Sequence, residues 1–548
     1  MPVRLLRPLS RSVTRPLSVV ALAAWIACMG VIINRSYLQA SSANLATDLA
    51  RYGTAAQWRG VYYRGEKIGF TVGQVVPREG GFELQEDGRI QMSLLGATTA
   101  AIIRTTARVD QAFALQSFEF SLDPGTGPLS IRGRLDGLKL TLAITSAGNT
   151  RTETRDLKEP PAMMISLGRR LATDGLKDGA VHQWMVFDPA TLQNAPVVVR
   201  VGAREVVTGG GRPIPAFKVE MTFSGLQSTA WITDTGEIVR EESPMGLITV
   251  RESQEQATAL AVSSKMQADM LEASAIVPVM RSRIDEPRNV EQLRLRLDGA
   301  DLSSLDLDGV SQKVDGNIIE LTDPRRLEPG PADPDTDKYL RAEAFIESDD
   351  PEIRAEAERM VKGITGTRAR VERLTREVNA LLDKAPTMSL PSAKEVLRTR
   401  VGDCNEHTVL FVAMARSLGI PARIDVGVAF VRGAFYYHAW PEVYIDEGKG
   451  RGMWLPVDPT FNQFPADATH LRLARGGLDK QTAILPLIGR VKMTVLSVNL
   501  VPNSVPIIVG RQETDARPLS IPIPQRQGCG CWVSPCNEGQ PPATGKPR

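Results

Sequence analysis

The chain is 548 residues long, enough at about 150 residues per domain for two to four folded units. Hydrophobic residues make up 42% and charged residues 23%, an ordinary globular balance that excludes wholesale disorder, collagen-like chains and polytopic membrane proteins. Lys and Arg number 65 against 63 Asp and Glu, so no net field gathers nucleic acid, and none is expected as a partner.

At the amino end, Arg4, Arg7, Arg11 and Arg15 precede a run at 17–34 that carries no charge. As a helix that run spans roughly 25 Å, the short end of what crosses a bilayer. Positive flanks stay cytoplasmic, so the chain beyond Arg35 is expected outside. The run is longer than a typical signal core of about 7–15 residues, which favours a retained anchor over a cleaved signal. The expectation is a basic cytoplasmic segment at 1–16, a signal anchor at 17–34 and a linker at 35–57. In a bacterium with two membranes this makes a single-pass inner-membrane protein with its bulk in the periplasm. Five cysteines are too few for a disulfide scaffold.

Residues 58–280 read as a β-rich accessory domain. Strand-like stretches at 60–70, 82–92, 117–122, 138–144, 197–201, 219–223 and 228–232 are punctuated by Gly and Asn at hairpin spacing. Gly209, Gly210 and Gly211 lack the Lys-Ser or Lys-Thr of a phosphate loop and read as a turn. His182 stands alone and receives no role. Residues 281–337 are expected to form a small β-rich segment, with alternation at 292–297, and a Pro- and Asp-rich linker. Helical spacing follows at 355–361 and 371–382, with a start signal at Asp349, Asp350 and Pro351. The catalytic core is placed at 338–485, and a strand plus a Pro- and Cys-rich tail at 486–548. In that tail Cys529, Cys531 and Cys536 lack the nearby fourth ligand that a tetrahedral zinc site needs.

The chemistry concentrates in three blocks. The first is Gly402-Asp403-Cys404-Asn405-Glu406-His407, followed by an apolar helix that Gly419 and Pro421 end. Asp403 is a natural N-cap, and Glu406 stands at the capping-box offset. That register puts Cys404 in the first helical turn, where the helix dipole favours thiolate over thiol. The second block, His438-Ala439-Trp440-Pro441-Glu442-Val443-Tyr444, lies on the return strand of a hairpin turning at Arg432-Gly433-Ala434. The third, Trp454-Leu455-Pro456-Val457-Asp458-Pro459-Thr460, is a short strand ending in an acid. A histidine and an acid on neighbouring antiparallel strands can sit side by side. Such a set supports nucleophilic attack by Cys404 on a carbonyl carbon, with His438 as ion-pair partner and acid–base group. Asp458 would orient the ring, and the Cys404 N–H is a natural oxyanion donor.

These three blocks, in this order and spacing, resemble the signature blocks of the transglutaminase-like superfamily. The resemblance covers about 339–463. It implies an α+β, papain-like thiol core, a Cys-bearing helix packed on an antiparallel sheet, here preceded by the β-rich domain. It implies a triad of Cys404, His438 and Asp458, and no cofactor or metal. The implied activity is that of a cysteine protease, amidohydrolase or acyltransferase, passing a thioester to water or to an amine. Partners would be a peptide or protein substrate of the cell envelope, with the membrane engaged through the one N-terminal helix.

Competing assignments surround the same residues. His407 lies one helical turn from Cys404 and is an alternative base, although Asp458 would then have no task. Cys404, His407, His438 and Asp458 are also permitted zinc ligands, a set the block order makes unnecessary. His470 falls in a polar stretch and is expected at the surface. From a different class, the chain could be a non-catalytic envelope module that binds protein through the same fold.

Overall fold

The computed structural model describes residues 52–501 apart from 54, 95–96, 126, 244–245, 260–273, 282, 304, 388, 477–483, 485–486 and 488. The expected anchor at 17–34 and the tail cysteines lie outside these residues. Among the described residues no helix is long and apolar enough to cross a membrane.

Residues 57–252 form one antiparallel sheet of fourteen strands. The chain starts in its middle, at Gln57–Tyr63, and steps outward by hairpins to Asn149–Asp156 at one edge. It resumes at the other edge with Val181–Asp188 and returns to Leu247–Glu252, which pairs with the first strand. Alternation drives the inner hairpins: Leu129 and Ile131 are buried while Arg132 and Arg134 point to solvent. The edge strand Asn149–Asp156 has no apolar residue, and only its backbone pairing with Lys139–Ser146 makes it a strand. The glycine triplet closes a hairpin between Gln193–Gly209 and Arg212–Phe223. Gly210 and Gly211 there take φ of 60° and 75°, as a two-residue turn matched to strand twist requires.

A four-stranded and a five-stranded sheet follow, besides a short parallel pair of Asp383–Lys384 with Val401–Gly402. The first has the order β2-β3-β1-β9, from β1 (Val290–Asp298), β2 (Gln312–Asp315), β3 (Ile318–Thr322) and β9 (Lys492–Leu500). Its last strand is supplied by the distant carboxyl side of the chain, with Leu500 opposite Val290. The second has the order β4-β7-β6-β5-β8. Its strands are β4 (Gly330–Pro331), β5 (Ala422–Val431), β6 (Ala434–Gly448), β7 (Arg451–Pro456) and β8 (His470–Arg475). Helices α1 (Pro351–Met360), α2 (Thr367–Leu381), α3 (Ala393–Thr399) and α4 (Cys404–Ser417) precede β5. The start signal acts as written: the Asp350 carboxylate accepts from the N–H groups of Glu352 and Ile353, with Pro351 first in α1.

Helix α4 is buried from Glu406 to Arg416 without interruption. One apolar cluster holds its Leu410, Phe411 and Met414 together with Ile353, Val371, Leu374 and Val396 of the other helices and Ile424, Val443 and Leu455 of the sheet. A second cluster joins Val428, Phe435 and Leu471 to Leu293, Ile319 and Met493 of the smaller sheet. The fourteen-stranded sheet meets this region through Phe345 and Leu390, which pack with Leu122 and Leu129, and through Arg151, 3.2 Å from Asp349. Among the described residues strand outweighs helix, 50% against 18%. The α+β description therefore fits the helix-bearing region and not the remainder.

Candidate active site

The amino end of α4 is built by its cap. The Asp403 side chain accepts the Asn405 N–H at 3.0 Å, and Glu406 returns a carboxylate oxygen to the Asp403 N–H at 2.9 Å, the reciprocal pairing of a capping box. Glu406 also takes hydroxyl hydrogens from Thr387, at 2.6 Å, and from Ser389. Burial, reinforced by the Glu406 charge, pushes the Asp403 carboxyl well above its ordinary value. Burial works against Glu406 too, but hydrogen bonds from Asp403, Ser389 and Thr387 hold it down.

Cys404 opens the helix and remains partly exposed. Its N–H is one of the four that a helix start leaves without an intrahelical acceptor. Among the causes acting on the thiol, the backbone N–H of Ala439, the residue next to His438, is the one that favours the thiolate. One turn along α4, the Thr408 hydroxyl donates to the Ala439 carbonyl at 3.0 Å, which fastens the helix to β6. The electrostatics depart from the sequence expectation. Burial pushes the thiol well above its ordinary value, the charges of Asp403, Glu406 and Asp458 add to this, and only the Ala439 N–H opposes them. The dipole argument counted the helix end and left out desolvation.

His438 is buried on β6, opposite Gly427 of β5. The Phe461 ring stacks on it at 4.6 Å and 9°, and Trp440 lies on its own strand at 5.9 Å. Its Nε2 is 2.8 Å from Asp458 Oδ2. Asp458 follows β7, is fully buried, and accepts the Phe461 N–H on Oδ1 at 2.9 Å. Burial alone would raise this carboxyl; His438 and His470 outweigh it and hold it well below the ordinary carboxylate range. An ionised Asp458 only accepts, so His438 carries hydrogen on Nε2, which makes Nδ1 the ring nitrogen able to exchange a proton with substrate or thiol.

His470 is not at the surface. It begins β8, pairs opposite Ala429 of β5, and is buried. Its Nε2 lies 3.1 Å from the same Asp458 Oδ2, and its Nδ1 lies 3.2 Å from Asp467 Oδ1. Burial opposes protonation, yet hydrogen bonds and charge from Asp458 and Asp467 push the ring up to about 10. The overlooked signal was the alternation His470, Leu471, Arg472, Leu473, which reads as a strand that could join the sheet of His438. The same sheet explains His407 by contrast: it is buried and spends its Nδ1 on the Asp403 carbonyl, 2.6 Å away, while Asp458 is taken by the other two rings. Burial lowers its pKa. His182 stacks on Trp184 in the large sheet.

Ligand atoms of His438, Asp458 and His470 lie within 4.8 Å of one another, a set that leaves out the Cys404 and His407 of the zinc alternative. These atoms are already joined by hydrogen bonds, both ring nitrogens meeting one carboxylate oxygen.

Residues 354–459 match the family model of the transglutaminase-like superfamily, a span that contains Cys404, His438 and Asp458 and stops short of His470. No curated protein matches the chain. Among solved structures, a Cytophaga hutchinsonii protein provisionally named a cysteine protease is 18% identical over 39% of this chain and 89% of that one, with a TM-score of 0.27. A β-barrel-like protein of a domain of unknown function from Brucella abortus is 12% identical over 36% of this chain and 95% of that one, with a TM-score of 0.28.

Proposed function

We propose that the transglutaminase-like stretch is the core of a thiol enzyme that acts on amide bonds of peptide or protein substrates through a Cys404 thioester. The observation that carries this reading is the buried His438–Asp458 pair, 2.8 Å apart, with His438 on the strand to which Thr408 of the Cys404 helix is hydrogen-bonded. Because the thiol keeps its proton at rest, His438 works as a general base during attack and not as a standing ion-pair partner. The thiol proton passes to Nδ1 as sulfur bonds the carbonyl carbon. The tetrahedral adduct then collapses, the C–N bond breaks, and Nδ1–H gives its proton to the departing amine. Water or a second amine attacks the thioester, loses a proton to Nδ1, and the proton returns to sulfur. The Cys404 N–H supports the oxyanion at both steps.

The uncharged run at 17–34 behind four arginines supports an anchor that holds the rest of the chain outside the cytoplasm; recovery of the full chain in the soluble fraction after lysis would remove that part. The test of the enzyme is a covalent adduct. Incubation with an envelope peptide substrate and acid quenching should leave an acyl mass on the Cys404 peptide, absent in a His438→Ala variant. Added primary amine then separates transfer, which incorporates the amine, from hydrolysis, which yields a free acid. A non-catalytic binding module is the second reading, and the firmly held thiol proton favours it. No adduct, and Cys404 alkylation equal in wild type and His438→Ala, would decide for that module.

A further inference from the structure

His470 has an acceptor on each side. Nε2 faces Asp458 Oδ2 at 3.1 Å, and Nδ1 faces Asp467 Oδ1 and the Asp467 carbonyl oxygen, each at 3.2 Å. Ionised carboxylates and carbonyls only accept, so both ring nitrogens must carry hydrogen and the ring is an imidazolium. Asp467 is pinned in turn. Its Oδ1 takes the N–H and hydroxyl of Thr469 at 2.9 and 2.6 Å, and its Oδ2 takes the Gln463 amide at 2.9 Å. The contacts therefore run Asp467, His470, Asp458, His438, and all four side chains are buried.

We propose that His470 is a positioning residue of the Cys404 site: a charged imidazolium, braced by Asp467, that fixes the Asp458 carboxylate against His438 and offsets its charge. The inference rests on the thiol-enzyme reading, which makes His438 the base. Two donors converging on Oδ2 and a third on Oδ1 leave the Asp458 carboxylate no rotational freedom. The second cation also matters for proton transfer. With Asp458 answering to one imidazole alone, the full carboxylate charge would hold the proton on His438 and make it a poorer acid toward the departing amine. The charge persists at neutral pH, since Asp458 and Asp467 outweigh burial. Other charged groups face the ring as well. Asp425 of β5 and Arg472 of β8 line the same small cavity. Arg325 interacts with Asp467, and His438 stands 5.9 Å away, centroid to centroid.

The experiment follows iodoacetamide alkylation of Cys404 from pH 5 to 10 by peptide mass spectrometry, using the full chain in detergent. Wild type, His438→Ala and His470→Gln are compared. Glutamine can still donate to Asp458 but carries no charge. Losing one charge about 6 Å away, at an effective dielectric of about 20 to 40, makes each proton loss at the site harder by about one to two pH units. The His470→Gln profile should therefore move upward by at least about one pH unit. A wild-type rate no faster than His438→Ala sinks the enzyme reading and this inference with it. A His438-dependent rate with an unmoved His470→Gln profile sinks the inference alone. Should that variant not fold, histidine-selective nitrogen NMR of the wild type decides: among its four histidines, one ring should stay doubly protonated to pH 8.5, and loss of the proton from all four by pH 8 overturns the proposal.

Discussion

Replacing Asp458 by Asn tests the centre of the site most directly, because every contact of the carboxylate is accounted for. Oδ2 accepts from His438 at 2.8 Å and His470 at 3.1 Å, and Oδ1 accepts the Phe461 N–H at 2.9 Å, with no solvent exposure. An amide has one acceptor oxygen. Turned toward the rings, it sets its NH2 against the Phe461 N–H; turned toward Phe461, it sets its NH2 against two ring N–H groups. Either orientation leaves a buried donor facing a donor, and His470 loses one of its two anions. Breaking a buried ion pair from one side costs about 3–5 kcal/mol, a large share of the roughly 5–15 kcal/mol that holds a domain together.

Chemistry should suffer beyond stability. Asp458 fixes the His438 tautomer that leaves Nδ1 free, and an amide in the wrong orientation reverses it. In a serine-protease triad the equivalent change lowers turnover by about 10⁴ with geometry intact, and a loss of roughly 10³–10⁴-fold is expected here. Urea unfolding followed by tryptophan fluorescence measures the first quantity, and Cys404 acylation by a peptide substrate under folded conditions measures the second. A folded Asp458→Asn protein that acylates within threefold of wild type would refute the reasoning, whatever its stability.

The remaining expectations concern pH, the cap and the stacked ring. Asp458 is held below its ordinary value and His470 is raised from 6.5 to about 10. The same contacts appear twice here and count once. Stability they supply is present above about pH 4 and is lost as pH falls further; on the other side it is complete below about pH 6.5 and lost as pH rises through 10, by up to roughly 5 kcal/mol. Urea midpoints should thus be highest near pH 5–6.5 and fall steadily toward pH 10, and a flat alkaline side would contradict the His470 assignment. In Gly402→Ala the new Cβ would sit 2.2 Å from Glu406 Cβ, so the cap must shift; about 1–3 kcal/mol of stability should go, with slower Cys404 alkylation, both visible by calorimetry and mass spectrometry. Phe461→Ala removes the ring stacked on His438 and should cost only about 0.5–1.5 kcal/mol, because Phe461 is 39% exposed. Acylation should drop roughly tenfold as water reaches the His438–Asp458 pair, and an unchanged rate would limit Phe461 to packing.

What could be read from the sequence was local. Asp403 and Glu406 announce the start of α4 three residues apart, Gly419 and Pro421 its end, and each signal acts between residues within one turn of each other. The hairpin bearing His438 was legible for the same reason, its turn residues Arg432 and Gly433 taking φ of 49° and 97°. Non-local pairings were not legible. Strand Asn149–Asp156 carries no apolar pattern, and β9 completes a sheet that Val290 begins, with a sequence separation that no periodicity bridges. His470 was misplaced on the same grounds. The alternation from His470 to Leu473 marks a strand but not its partners, Ala429 across the strand pair and Asp458 across the site, which are set by the fold.

The Cys404 thiol carries that lesson into energetics. A helix start offers roughly half a positive charge, which a sequence shows; desolvation and the Asp458 carboxylate appear only once the chain is folded, and with the neighbouring Asp403 and Glu406 they win. A sulfur so placed cannot keep a standing anion, so reactivity must come from a base ready to accept the proton during attack. That base must be strong enough to take the proton and weak enough to return it to the leaving amine. A single buried carboxylate behind His438 would favour the first task at the expense of the second. A second imidazole on the same oxygen moderates the carboxylate and lets one ring serve both steps. The raised thiol, the shared Oδ2 and the buried His470 are thus one arrangement, in which the burial that protects the thioester also dictates how many charges must stand behind the histidine.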